Sequence, residues 1–301
     1  MYSRRQFINL TAGTSLAGAL SSFTNPLKMK NNLGYELLIM ATNWGYSGSW
    51  AEFAKKVKQL GYDGMEVWCP SDLQERETLA KALKENSLQV GFLVGGSDSD
   101  PKKHFQQFKE SLGHASEWKP LYINCHSGRD YFSYEDNRRF IDLTKEVSSQ
   151  SQVPIYHETH RSRILYSAPV ARQFMENLPD LRLTFDVSHW CNVHETLLED
   201  QNETLSVAIQ RTDHIHARIG HAEGPQVNDP RAPEWKKAME AHFAWWDKIV
   251  EIKKREGKRM TILTEFGPLD YMPSLPYTRQ PLSNQWEINT FMLETLRKRY
   301  S

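Results

Sequence analysis

From about residue 34, apolar runs of five to seven residues alternate with longer stretches in which apolar positions recur at helical spacing. The short runs ELLIMAT, GMEVW, QVGFLV, LYINCH, PIYHET, RLTFDV, HIHARI and MTILTEF are rich in β-branched and aromatic residues and read as strands. Between them, SWAEFAKKVKQL, DLQERETLAKALKEN, PKKHFQQFKESLGHA, EDNRRFIDLTKEVSS, APVARQFMENL and PEWKKAMEAHFAWWDKIVEIKKR read as amphipathic helices. Strand followed by helix, eight times, predicts an α/β chain folded as a (β/α)8 TIM barrel, one domain over residues 34–301. The rival is an open doubly wound sheet, which favours a glycine-rich phosphate turn after its first strand; this chain has ATNWGYSGS there. No shift in composition marks a second domain.

The first residues have a different pattern. Paired Arg4 and Arg5 precede the apolar, small-residue stretch LTAGTSLAGALSSF, which is too short for a permanent membrane anchor. This order resembles a bacterial twin-arginine (Tat) export signal, with residues 1–25 as the signal peptide. It implies the Tat export machinery as a partner and a periplasmic or exported protein.

Charge narrows the ligand class. Lys and Arg number 37 and so do Asp and Glu, so the formal net charge is zero and no basic surplus exists to follow a nucleic-acid backbone. A small polar molecule is the expected ligand. Cys69, Cys125 and Cys191 are odd in number and far apart, which fits buried small hydrophobes better than a disulfide or zinc framework.

Four strand-like runs in the C-terminal half end on groups that can bind a cation: Glu158, Asp186, His216 and Glu265. In a barrel the strand ends surround one mouth, so these four can converge on one ion. Three carboxylates and an imidazole suit Mn²⁺, Mg²⁺ or Co²⁺ with open positions, or Zn²⁺ in an open catalytic site, better than a closed structural zinc site. Side chains two apart on a strand share a face. Tyr156, Glu158 and His160 therefore point together, as do His214, His216 and Arg218, Asn124 and His126, and Glu66 and Trp68. His126, Glu66, His160, Arg218 and Trp68 become candidates for binding substrate. His214 is the alternative to His216 as ligand. Trp44, Trp68, Trp190 and Tyr271 lie just past strand ends, where they either stack on a sugar face or seal the core. Packing accounts best for Trp245 and Trp246, with a homo-oligomer interface as the alternative.

These residues, with GYDGMEVW at the second strand and HSG after the fourth, resemble the xylose-isomerase-like barrel superfamily, in particular its sugar phosphate isomerase/epimerase and ketose 3-epimerase branch. The resemblance implies one divalent metal ion held by Glu158, Asp186, His216 and Glu265, and His189 as a substrate-binding histidine. The chain departs from that branch by reading THRSRIL where a second glutamate follows the fifth strand, and by placing Arg218 and His221 where a later arginine is usual.

The chemistry that suits such a site is proton abstraction beside a carbonyl. Glu158 and Glu265 act as the catalytic carboxylates, one removing a proton and the other returning one. Return to the opposite face gives an epimerase, and return to the neighbouring carbon gives an isomerase. Loss of a β-substituent from a 3-keto-glycoside gives a lyase. An exported protein meets free sugars and their derivatives rather than sugar phosphates, and the loops after the seventh and eighth strands lack a glycine-rich phosphate site. A non-catalytic exported sugar-binding barrel is the remaining alternative.

Overall fold

The computed structural model describes residues 34–301, so the twin-arginine segment at residues 1–25 lies outside the described residues. Eight parallel strands, each hydrogen-bonded to the next and the eighth to the first, close a barrel. They are β1 (Glu36–Thr42), β2 (Gly64–Trp68), β3 (Gln89–Gly95), β4 (Ile123–His126), β5 (Ile155–Glu158), β6 (Leu183–Phe185), β7 (Thr212–Ala217) and β8 (Arg259–Thr264). The helices are α1 (Trp50–Gln59), α2 (Leu73–Asn86), α3 (Pro101–Glu117), α4 (Tyr134–Ser151), α5 (Ala168–Asn177), α6 (Val187–His194), α7 (Asn202–Arg211), α8 (Lys236–Glu256) and α9 (Gln285–Tyr300). The architecture is the (β/α)8 barrel that the alternation predicts, in one domain.

Alternation along the strands sorts side chains into two layers. Leu37, Ile39 and Ala41 of β1, with Val67, Phe92, Ile215 and Ile262, face outward into the main core beneath the helices. Leu38 and Met40, from the other face of β1, join Tyr122 and Leu263 in a small separate cluster inside the barrel. Gly91 leaves that interior room for Tyr122: an added Cβ would lie 2.4 Å from the tyrosine ring. Above this apolar floor the inward positions turn polar, with Glu66, Asn124, Thr184, His214 and His216 all buried.

Local signals set where the helices begin. Ser49 and Glu52 form a reciprocal capping box at α1, and Asp100 caps α3 with Pro101 in its first turn. The residue that follows β6, Asp186, itself caps α6 through the Ser188 amide. Strand and helix therefore meet without a loop, and the carboxylate is fixed at the junction. Trp245 and Trp246 are buried within the chain against its own core.

Candidate metal and substrate centre at the barrel mouth

The site is built upward from Glu66. Its Oε1 lies 3.1 Å from His216 Nε2 and its Oε2 3.0 Å from His214 Nε2. Burial alone would raise the Glu66 carboxyl, but the two histidines outweigh it and hold it far below the usual carboxylate range. Asn124 donates from Nδ2 to Glu158 Oε2 at 2.7 Å and to Glu66 Oε1 at 3.3 Å, tying β4 to β5 and β2. His214 faces away from the mouth, with Nδ1 donating to the Thr261 carbonyl at 3.0 Å.

His216 connects this lower layer to the mouth. With Nε2 on Glu66, its Nδ1 is left 2.9 Å from Glu265 Oε2 and 3.6 Å from Glu158 Oε2. Burial opposes protonation of the ring, but Glu265, Glu158 and Glu66 prevail and hold its pKa well above the ordinary value. Burial raises the Glu158 carboxyl too, yet His126 and His216 together hold it well below its usual range. His126 Nε2 donates to Glu158 Oε2 at 2.9 Å.

Asp186 lies close to His216 and Glu158. Its Oδ1 accepts from the Ser188 hydroxyl and amide, and its Oδ2 accepts from Arg218 Nη2. Arg218 is buried, so its charge needs partners; besides Asp186 it has Glu265 Oε2 at 3.5 Å. Burial pushes Asp186 up to about 7, with Arg218 opposing and the neighbouring Glu265 and Glu158 adding to the rise. Arg218 Nη2 also lies 2.8 Å from His189 Nε2. A guanidinium only donates, so Nε2 accepts and the His189 proton sits on Nδ1. Burial, with His160 and Arg218 nearby, keeps His189 neutral.

Rings close the rim. His160 lies 4.6 Å from His126 and 3.8 Å from His189, centroid to centroid. Trp68 stands edge-on to His126 at 5.5 Å and is 52% exposed. Tyr271 packs against Trp44 at 4.8 Å and under the Arg218 guanidinium at 4.8 Å. Trp190 is fully buried behind the site, its indole donating to the Leu165 carbonyl, and it seals the core. His157 points outward between Ser127 and Thr144, and His194 accepts the Ala168 amide. Ser188, which sequence reasoning passed over, is the hydroxyl that holds Asp186; Asp-x-Ser at a strand-to-helix junction was its signal.

The donor set fits a divalent cation. Glu158, Asp186 and His216 bring ligand atoms within 4.8 Å of one another. Glu158 Oε1, Glu265 Oε2 and His216 Nδ1 are buried and have no hydrogen-bond partner. The last two face each other at 2.9 Å without hydrogen-bond alignment. Two ligands bound at right angles about 2.1 Å from one ion stand roughly 3 Å apart. Four carboxylates, three of them buried (Glu66, Glu158 and Asp186) and that of Glu265 13% exposed, also outnumber the one arginine among them.

Residues 54–255 match the model of a family described as the xylose isomerase-like TIM barrel. The chain belongs to this family. Solved structures with the same fold include a 3-keto-D-glucoside 4-epimerase from E. coli, at 15% identity and a TM-score of 0.58 over 87% of this chain and 100% of that one. A D-tagatose 3-epimerase-like protein aligns at 13% identity and 0.60, over 87% and 96% of the two chains. The probable 3-DHS dehydratase of petrobactin synthesis from Bacillus anthracis aligns at 15% and 0.54, over 88% and 99%. At these identities the likeness is one of fold. No curated protein sequence matches the chain.

Proposed function

We propose that this xylose isomerase-like barrel is a metal-dependent carbohydrate isomerase or epimerase, working through an enediolate. One observation carries the reading. Five buried polar atoms without partners surround a single mouth: Glu158 Oε1, Glu265 Oε2, and the Nδ1 atoms of His126, His189 and His216. Leaving such groups unpaired costs about 1–3 kcal/mol each, so the arrangement suits a site that completes itself on binding ion and substrate.

Glu158, Asp186, His216 and Glu265 would hold the ion. When bound, a divalent cation supplies Lewis-acid polarisation of a carbonyl and its neighbouring hydroxyl. The remaining work falls to side chains. Glu158 and Glu265 both approach His216 Nδ1, at 3.6 and 2.9 Å, so two carboxylates would stand beside the reacting carbon. Glu158 stays ionised through the neutral range and enters as proton acceptor. Glu265, 13% exposed, is placed to return a proton from the open side. His189 Nδ1 offers a donor to a substrate oxygen, with Arg218 fixing its tautomer, and His126 Nδ1, with the ring proton on Nε2, offers an acceptor to a substrate hydroxyl. Trp68 supplies an open aromatic face for sugar C–H groups. We extend the proposal to export by the twin-arginine route, on the strength of Arg4, Arg5 and the apolar stretch behind them.

Mn²⁺-loaded protein should convert at least one member of a panel of free ketoses, aldoses and 3-keto-glycosides. NMR of the products separates epimerase, isomerase and lyase, the last being the runner-up because it departs from the same enediolate. Sugar binding without conversion and independent of metal would replace this reading with that of a binding barrel.

A further inference from the structure

Arginines of the described residues are mostly paired: Arg182 with Asp213, Arg218 with Asp186, Arg259 with Glu36, Arg299 with Asp247. Three around the mouth have no carboxylate partner among the described residues: Arg129 after β4, and Arg161 and Arg163 after β5. Arg161 is accounted for by Asn192 Oδ1 at 3.1 Å and by the Tyr271 ring at 5.0 Å. Arg129 and Arg163 are not. Arg129 reaches only the Ser97 carbonyl, at 3.4 Å, and buries Nε without an acceptor. Arg163 buries both Nε and Nη1 without one.

The two guanidinium groups share one neighbourhood. Burial lowers the proton affinity of Arg163, and the charge of Arg129 lowers it further, while Glu158 and Asp130 pull the other way. The loops that carry them are tied down. Asn137 accepts from the Arg129 amide at 3.3 Å and donates to its carbonyl at 2.7 Å, and the Ile164 amide donates to the Ser127 carbonyl at 3.2 Å. Gly128, at φ +52°, is packed so closely on Asn137 and Ile164 that a Cβ would lie 2.2 Å from the amide oxygen. Two like charges with idle, buried donors, on loops held this firmly, are costly unless an anion joins them.

We propose that Arg129 and Arg163 form an oxyanion subsite beside the metal centre, and that the substrate is an acidic sugar whose carboxylate binds there. The inference rests on the mouth being the substrate site. Planar guanidinium forks match a carboxylate by paired N–H···O bonds, which selects for an acid where an alcohol would leave donors idle. A sugar phosphate presents the same oxyanion chemistry, and the test separates the two sources.

Isothermal titration of Mn²⁺-loaded protein with hexuronates, the matching neutral hexoses and hexose 6-phosphates reads the subsite without needing turnover. At least one hexuronate should bind about ten-fold or more tightly than its neutral counterpart. Arg163→Gln and Arg129→Gln should each remove that preference while Mn²⁺ affinity, titrated separately, stays unchanged; Arg163→Lys should keep part of it. A 6-phosphate preferred in place of the acid, and lost in both Gln variants, supports the oxyanion subsite and overturns the carboxylate. No preference for any anionic sugar, or a preference that survives both substitutions, overturns the proposal. Failure of the enolisation chemistry would appear instead as missing conversion of the preferred acid by the Mn²⁺-loaded protein, with the binding preference intact.

Discussion

Glu66 separates what a residue is from what its position makes it. Its place two before Trp68 on an inward face was legible in the sequence and suggested contact with substrate. The fold sets it one layer lower, under His216 and His214, where it orients an imidazole. Removing an outer partner of a metal-binding histidine commonly costs 10–100-fold in metal affinity. Glu66→Ala should therefore weaken Mn²⁺ binding by about that factor, and Glu66→Gln, which keeps an acceptor, by less; titration calorimetry of both variants checks it. The strand-end groups Glu158, Asp186, His216 and Glu265 could be read in sequence because period-two alternation and barrel topology together place them. The Arg218–Asp186 pair could not, since residues 32 apart meet only when β6 and β7 are adjacent.

At the scale of elements, all eight strands were visible as apolar runs, because parallel strands covered on both faces are apolar nearly throughout. The helices α6, α7 and α9 were not named individually. The first is capped by Asp186, the single residue between it and β6, so no loop announces it, and the other two carry polar and charged residues through much of their length. The interior also depends on a residue with no side chain. Gly91 on β3 makes room for Tyr122, which lies 5.9 Å from Tyr156 and 4.4 Å from His214, centroid to centroid. Gly91→Ala drives a Cβ into that ring, and overpacking of this kind costs roughly 1–3 kcal/mol. Urea denaturation should register the loss, and thermal scans should fall with it.

Across the whole molecule the two ends of the barrel are built for different tasks. The mouth collects unpartnered polar atoms, whereas at the opposite end the charges are satisfied. A cleft of about 990 Å³ there is lined by Tyr156, Arg182, Asp213 and Arg259, but its arginines are already paired. Asp213 joins Arg182, at 2.6 Å, and Lys253, linking β6, β7 and α8. Although burial opposes ionisation, those two cations hold the Asp213 carboxyl below its ordinary value. A depressed carboxyl stabilises the fold above its unfolded pKa, about 3.9, and loses that contribution as pH falls through the folded value. Asp213→Asn should cost roughly 2–4 kcal/mol at pH 7 and progressively less below about pH 4, as measured by denaturation at each pH. The central claim concerns the other end, and the most direct test is deuterium incorporation at the substrate carbon in D₂O, followed by NMR for wild type, Glu158→Gln and Glu265→Gln. The account predicts exchange in the Mn²⁺-loaded wild type, its loss with EDTA, and a fall of about 10²–10⁴-fold in each variant while circular dichroism stays native. Exchange that persists without metal, or in either glutamine variant at the wild-type rate, would contradict it.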